Sequence, residues 1–223
     1  MTPSNSIRFV KLHLHNYGAF LGSHDFLFDQ HRTFIVGPYG TGKTTLMSAL
    51  VHLGPAPEAT PSFGTDPSKM SVRVSTWGDR SLLKRYHGIV FLYEGPYTNE
   101  VLRNHEAMLA DIRNKQHRKM IIDEAWDSFQ ALMPWKVEVN KYKDLDPVLL
   151  PASEKVCFAY AFAFAVRKVL DLDLPAVFDT PYDYLDPEKK SLVKAFLRKQ
   201  PYQQILLVRE NQFAEKDEKC IRI

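Results

Sequence analysis

The sequence predicts an α/β fold, and three observations carry that expectation. Short apolar runs recur at Thr33–Val36, Pro175–Asp179 and Gln204–Val208, each the length of a buried strand. Helical patterns lie among them at residues 45–50, 154–170 and 187–199, and strands alternating with helices imply an α/β sheet. The third observation is a glycine-rich loop, Gly37-Pro38-Tyr39-Gly40-Thr41-Gly42-Lys43-Thr44, which joins the first of those strands to the first of those helices.

Each element has a local reason. Residues 7–14, Ile-Arg-Phe-Val-Lys-Leu-His-Leu, alternate apolar with polar and read as a half-buried strand. Asn16-Tyr17-Gly18-Ala19-Phe20 makes a turn, and Asp25-Phe26-Leu27-Phe28 is its hairpin partner. Residues 54–68 are rich in Pro, Gly, Ser and Thr and read as a loop. Ser71–Trp77 alternates again, and Gly88–Tyr93 reads as a buried strand. Between Thr98 and Leu132 apolar residues fall at helical intervals among many charges, which predicts one helix or two, the pair then antiparallel and turning near Asn114-Lys115-Gln116. Pro134 ends that segment, and Lys136–Val139 reads as a short strand. Residues 154–170 are apolar on most faces, so this helix is expected to be buried.

The loop carries the chemistry. Its glycines let backbone N–H groups converge on phosphate oxygens, and the following helix adds the partial positive charge of its N-terminus. Lys43 is placed to reach β- and γ-phosphates and the Thr44 hydroxyl to ligate Mg²⁺, with Thr45 beside it in the first turn. A triphosphate site also needs an acidic residue near the metal, usually at the C-terminal end of a core strand. Asp179 stands there. ATP and Mg²⁺ are therefore the expected cofactors.

Composition bounds the rest. The 223 residues suffice for one large domain with a sizeable core, and a net charge of +3 neither proves nor opposes a nucleic-acid partner. Cys157 and Cys220 form no metal or redox spacing, and Cys157 sits in the apolar helix as a core filler. The N-terminus lacks an apolar signal core and no apolar run is long enough to cross a membrane, so a cytoplasmic protein is expected.

The order of parts resembles the ABC-type ATPase heads of the SMC and RecF group, including the ATPase of double-strand-break repair nucleases. Leu12-His13-Leu14-His15-Asn16-Tyr17-Gly18-Ala19-Phe20, a hairpin, and then Ile35-Val36-Gly37-Pro38 are similar to the opening of such heads. Leu150-Pro151-Ala152-Ser153-Glu154-Lys155 stands where their signature motif stands. Asp179-Thr180-Pro181 with Tyr184-Leu185-Asp186 resembles their second acidic motif and the D-loop. The resemblance spans about residues 7–53 and 136–213. It implies a head with an N-terminal β-rich lobe, ATP sandwiched between two copies, and Ser153 contacting the γ-phosphate of the opposite copy. A protein effector such as a nuclease, with DNA as a further partner, belongs to the same implication, in repair or anti-phage defence.

Several positions depart from that pattern. Thr180 occupies the place of a catalytic Glu, and a hydroxyl is far too weak a base to activate water at neutral pH. The DndD-type ATPases of phosphorothioate DNA-modification systems resemble this chain in reading Asp-Thr-Pro here and in carrying Ala at the third signature position, as Ala152 does. Slow hydrolysis is the expectation. Pro151 replaces the signature Ser and removes a backbone donor, while Ser153 replaces the last Gly. The switch His is absent; Arg209 or Glu210 stands in that region, and Arg209 is either a γ-phosphate contact or a surface residue. Glu94 is the candidate for the Mg²⁺-sensing position. Only residues 97–134, a helical insertion without heptads or a Cys pair, replace the long coiled coils.

Other conspicuous residues keep two readings. Lys115, His117, Arg118 and Lys119 either contact DNA phosphates or form a solvated face balanced by Asp123 and Glu124. Tyr97, Trp126 and Trp135 either face a partner or pack in the core. His13, His15, His24 and His31 lack ligand spacing. Two function classes follow: an ATPase, or a nucleotide-gated binding module with negligible turnover. A small-molecule kinase fits the C-terminal motif order less well.

Overall fold

Alternation makes Ile7–Tyr17 a strand, β1, which pairs antiparallel with β2 (Phe20–Leu27) and β4 (Ser71–Gly78) in a three-stranded sheet of order β2-β1-β4. The computed structural model describes residues 5–93, 100–136, 146–209 and 218–223. Ile7 and Phe9 face the core, then Leu12 and Leu14 do, so the inward parity slips by one residue at Val10. A bulge against β4 between Phe9 and Lys11 absorbs the slip and keeps all four side chains inside. At the hairpin Asn16 and Gly18 take positive φ of 49° and 54°, and the Asn16 side chain accepts from the Gly22 amide at 2.9 Å.

The second sheet is parallel and runs β5-β6-β7-β3-β8. Its strands are β3 (Arg32–Val36), β5 (Phe91–Leu92), β6 (Ala176–Asp179), β7 (Gln204–Val208) and β8 (Lys219–Arg222). Every residue of β3, β6 and β7 is buried, which is why these runs are apolar without alternation. Among the described residues the helices are α1 (Lys43–His52), α2 (Ser81–Arg85), α3 (His87–Val90), α4 (Glu100–Ala110), α5 (Lys115–Ala131), α6 (Ala152–Val169) and α7 (Pro187–Arg198). Gln203 ties the two sheets together. Its Oε1 accepts from the Phe9 amide at 2.9 Å, and its Nε2 donates to the carbonyls of Phe9 and Phe28 at 2.8 and 3.0 Å.

Helix α6 is the central post, buried continuously from Val156 to Arg167. One side sets Tyr160 against Phe178 of β6, with ring centroids 5.2 Å apart; another sets Phe158 against Trp126 of α5 at 4.9 Å. Small alanines between the rings let the neighbours approach. Near the end of α6 the fully buried Arg167 donates to four carbonyls, those of Ala163, Leu174, Pro175 and Ile89. Burial pushes its guanidinium down to about 9, still well above neutral, so the charge persists among those oxygens.

Two expectations need correction. Gly88–Tyr93 is not one strand, because its first half is the helical turn α3 and only Phe91–Leu92 joins the sheet. The apolar run is buried either way, but the Ile89 carbonyl points to Arg167 rather than to a strand neighbour. The helices of the 98–132 region form as expected, with Asn114 capping α5, yet α5 lies along α6 rather than against α4. The strand expected at Lys136–Val139 falls largely on residues outside those described. Helix α2 and strand β8 are additions that the sequence did not announce.

Candidate functional site

The glycine-rich loop leaves the C-terminal end of β3, between β7 and β8, and enters α1. Gly37 donates to the Val208 carbonyl at 3.2 Å, continuing the sheet for one more residue. No side chain fits there, since a Cβ on Gly37 would lie 2.4 Å from Thr41 Oγ1. Gly42 takes φ of 101°, and a Cβ would meet the Phe20 ring at 2.7 Å. The hairpin of the β-rich lobe thus presses on the loop and holds its shape. Thr41 Oγ1 donates to the Pro38 carbonyl at 2.9 Å. Lys43 is buried, and its Nζ donates to the carbonyls of Gly37 and Pro38 at 2.6 Å each. Thr44 is exposed and Thr45 half-buried in the first turn of α1.

Asp179 ends β6 at nearly the same height, for it pairs with Leu207 while Val36 pairs with Val208. Two strand spacings therefore separate it from the start of the loop, on the order of 10 Å. Helix α1 also packs on β6, so Thr44 and Asp179 belong to one end of one sheet. Thr180 follows in the left-handed region with φ of 45°, an uncommon conformation for a β-branched residue. It is 7% exposed, and among the described residues its Oγ1 has no hydrogen-bond partner. The turn is fixed on both sides: Thr180 N donates to the Leu207 carbonyl at 2.9 Å, and Tyr160 Oη to the Pro181 carbonyl at 3.0 Å.

Arg209 joins the two halves. Its guanidinium carbon lies 3.7 Å from the centre of the Tyr39 ring, and its Nη2 meets Asp183 Oδ2 at 2.8 Å. It stacks on the loop tip at Tyr39 and pairs with the turn after Thr180 through Asp183. Ser153 lies apart from this cluster, in the first turn of α6, where Pro151 is the N-cap and no side chain caps the helix. Its Oγ accepts from Lys189 Nζ at 2.9 Å. Lys189 was not singled out in the sequence, because its partner is 36 positions away. Glu94 and Glu210 lie outside the described residues.

The remaining candidates divide. Arg118 is occupied, donating to the carbonyls of Ile112 and Ala110 at 2.5 and 3.2 Å and so closing the end of α4. Trp126 is core, Trp135 is half exposed, and Tyr97 lies outside the described residues. Among the described residues no group of three His, Cys, Asp or Glu side chains could hold a metal ion, and no helix is long and apolar enough to cross a membrane.

A family profile described as the P-loop containing region of AAA domain matches residues 9–60. No curated protein matches the chain. Among solved structures it is similar to the SMC head domain from Thermotoga maritima, at 15% identity and a TM-score of 0.55, covering 93% of this chain and 92% of that one. An SMC head solved bound to the C-winged helix domain of ScpA matches at 16% identity and a TM-score of 0.58, covering 91% of this chain and 90% of that one. A bacterial ABC transporter cassette solved as a dimer matches at 16% and 0.58, covering 93% and 90%. The chain has the mixed α/β P-loop fold of SMC heads and ABC cassettes.

Proposed function

We propose that the chain is an ATP-binding head of the ABC type that closes as a homodimer around ATP and Mg²⁺, hydrolyses ATP slowly, and passes its nucleotide state to a DNA-processing or anti-phage effector. The observation that carries this is the loop itself. Lys43 is folded onto the Gly37 and Pro38 carbonyls at the end of the sheet that also ends in Asp179. The residues fit the ligand: a cradle that excludes any side chain at Gly37, a cation in its floor, an exposed hydroxyl at Thr44 and a carboxylate across the sheet edge.

Mg²⁺, when bound, would supply positive charge against the charge that develops on the phosphates. Thr44 and Asp179 are the residues that would hold it. The loop amides would bind the β-phosphate, Lys43 would turn from its carbonyls to the γ-phosphate, and the open N-terminus of α6 would meet the γ-phosphate of the other copy with Ser153. Thr180 can orient a water but not deprotonate it, which keeps turnover slow. Residues 97–134, which include α4 and α5, would take the place of coiled coils, leaving the head to act by dimerisation and docking. The effector and the DNA link rest on the resemblance to SMC/RecF and DndD-type heads.

Thr180 also favours a second reading, a nucleotide-gated module without turnover. Steady-state ATP turnover beside Lys43→Ala, with and without duplex DNA, separates the readings. Slow turnover that Lys43→Ala abolishes is expected. Equal turnover in the variant contradicts the assigned site, and bound ATP without turnover supports the module.

A further inference from the structure

Lys189 breaks a local rule. It is the third residue of α7, where the helix dipole disfavours a cation and where a capping box would carry Glu or Gln. It is also 5% exposed, a costly place for an ammonium. A residue that violates two preferences and remains needs a compensating role.

Its surroundings indicate one. Lys189 Nζ donates to Ser153 Oγ at 2.9 Å and meets Asp186 Oδ2 at 3.2 Å, while the Trp135 ring centre lies 4.8 Å from it. Asp186 is itself fixed, because its Oδ1 caps α7 by accepting from the Lys189 amide at 2.9 Å. The ammonium is therefore held from two sides and directed at the serine. An ammonium has donors only, so the Ser153 oxygen must accept from it. The serine's own hydrogen is then left to donate elsewhere, and among the described residues Ser153 has no other hydrogen-bond partner. Donation by a charged group also polarises the hydroxyl and strengthens it as a donor. Ser153 is half-buried beside exposed Pro151 and Ala152, at the uncapped end of α6, so the hydroxyl is free to turn its hydrogen to the open side.

We propose that Lys189 is a positioning residue: it fixes and polarises the Ser153 hydroxyl so that this serine presents a donor to the γ-phosphate of the opposite copy, compensating for the backbone donor that Pro151 removes. The proposal rests on the dimer reading given above. Asp186 and Trp135 complete the device by holding the ammonium, and through Asp186 the start of α7 is tied to the start of α6.

The test is a double-mutant cycle on ATP-driven dimerisation, followed by sedimentation with Mg²⁺ and a non-hydrolysable ATP analogue. Ser153→Ala and Lys189→Met are each expected to weaken the dimer about tenfold, the scale of one charge-assisted hydrogen bond. The double variant should be no weaker than either single one, and nucleotide affinity of the monomer should be unchanged, which a general loss of structure would not allow. Lys189→Gln, short and uncharged, serves if Lys189→Met does not fold, with the same expected loss. Full dimerisation of the Lys189 variants, or additive losses approaching a hundredfold, overturns the proposal while leaving the dimer reading intact. Full dimerisation of Ser153→Ala instead removes the contact in trans, and the role of Lys189 with it.

Discussion

Thr180 is a residue that sits badly with the fold at the edge of the candidate site. Its backbone is left-handed, its side chain β-branched and its hydroxyl buried without a partner among the described residues. Such strain and such an orphaned group each cost on the order of 1–3 kcal/mol. Thr180→Val keeps the shape and removes the orphan. Its thermal midpoint is expected to equal or exceed the parent's, while ATP turnover falls at least about tenfold through loss of a water-orienting group. A lowered midpoint with turnover unchanged would contradict that assignment. The loop residues Gly37 to Thr44, and Asp179, were legible because their chemistry is local: a strand, a turn, a helix start. Lys189 was not, since only the packing of α7 on α6 brings it to Ser153.

At the scale of elements, α6 organises the molecule, and Arg167 locks it to α3 and to the start of β6. Arg167→Met would remove the guanidinium donor from the buried carbonyls of Leu174, Pro175 and Ile89, while Ala163 keeps its helical bond. Methionine fills much of the volume, so the loss is chiefly polar, and a destabilisation of about 4 kcal/mol is expected by urea unfolding. A change below about 1 kcal/mol would mean that the carbonyls find other partners. The same residue explains why Gly88–Tyr93 misled the sequence reading. A short apolar run cannot distinguish a strand from a buried helical turn, and here a distant guanidinium takes the Ile89 carbonyl. Arg118 repeats the lesson on the surface: read as part of a basic cluster, it serves to close α4.

In the whole molecule, the order β5-β6-β7-β3-β8 gathers the loop, Asp179 and Arg209 at one sheet end although they are spread along the chain. The alternating and apolar runs signalled most of the strands, and the motifs pointed to the candidate site. The edge strand β8 escaped because its four residues, Lys-Cys-Ile-Arg, alternate too briefly to signal a strand. On the function proposed above, this sheet end binds ATP with Mg²⁺ through Lys43 and Asp179. Calorimetric titration with ATP tests it most directly, comparing the parent with Mg²⁺ or with chelator, Lys43→Ala, and Asp179→Asn. Saturable binding in the parent is expected, weakened at least about tenfold by Lys43→Ala as a buried charged contact is lost, and with a Mg²⁺ dependence that Asp179→Asn abolishes. Equal affinity in the parent and Lys43→Ala, or no binding by the parent, would contradict the account.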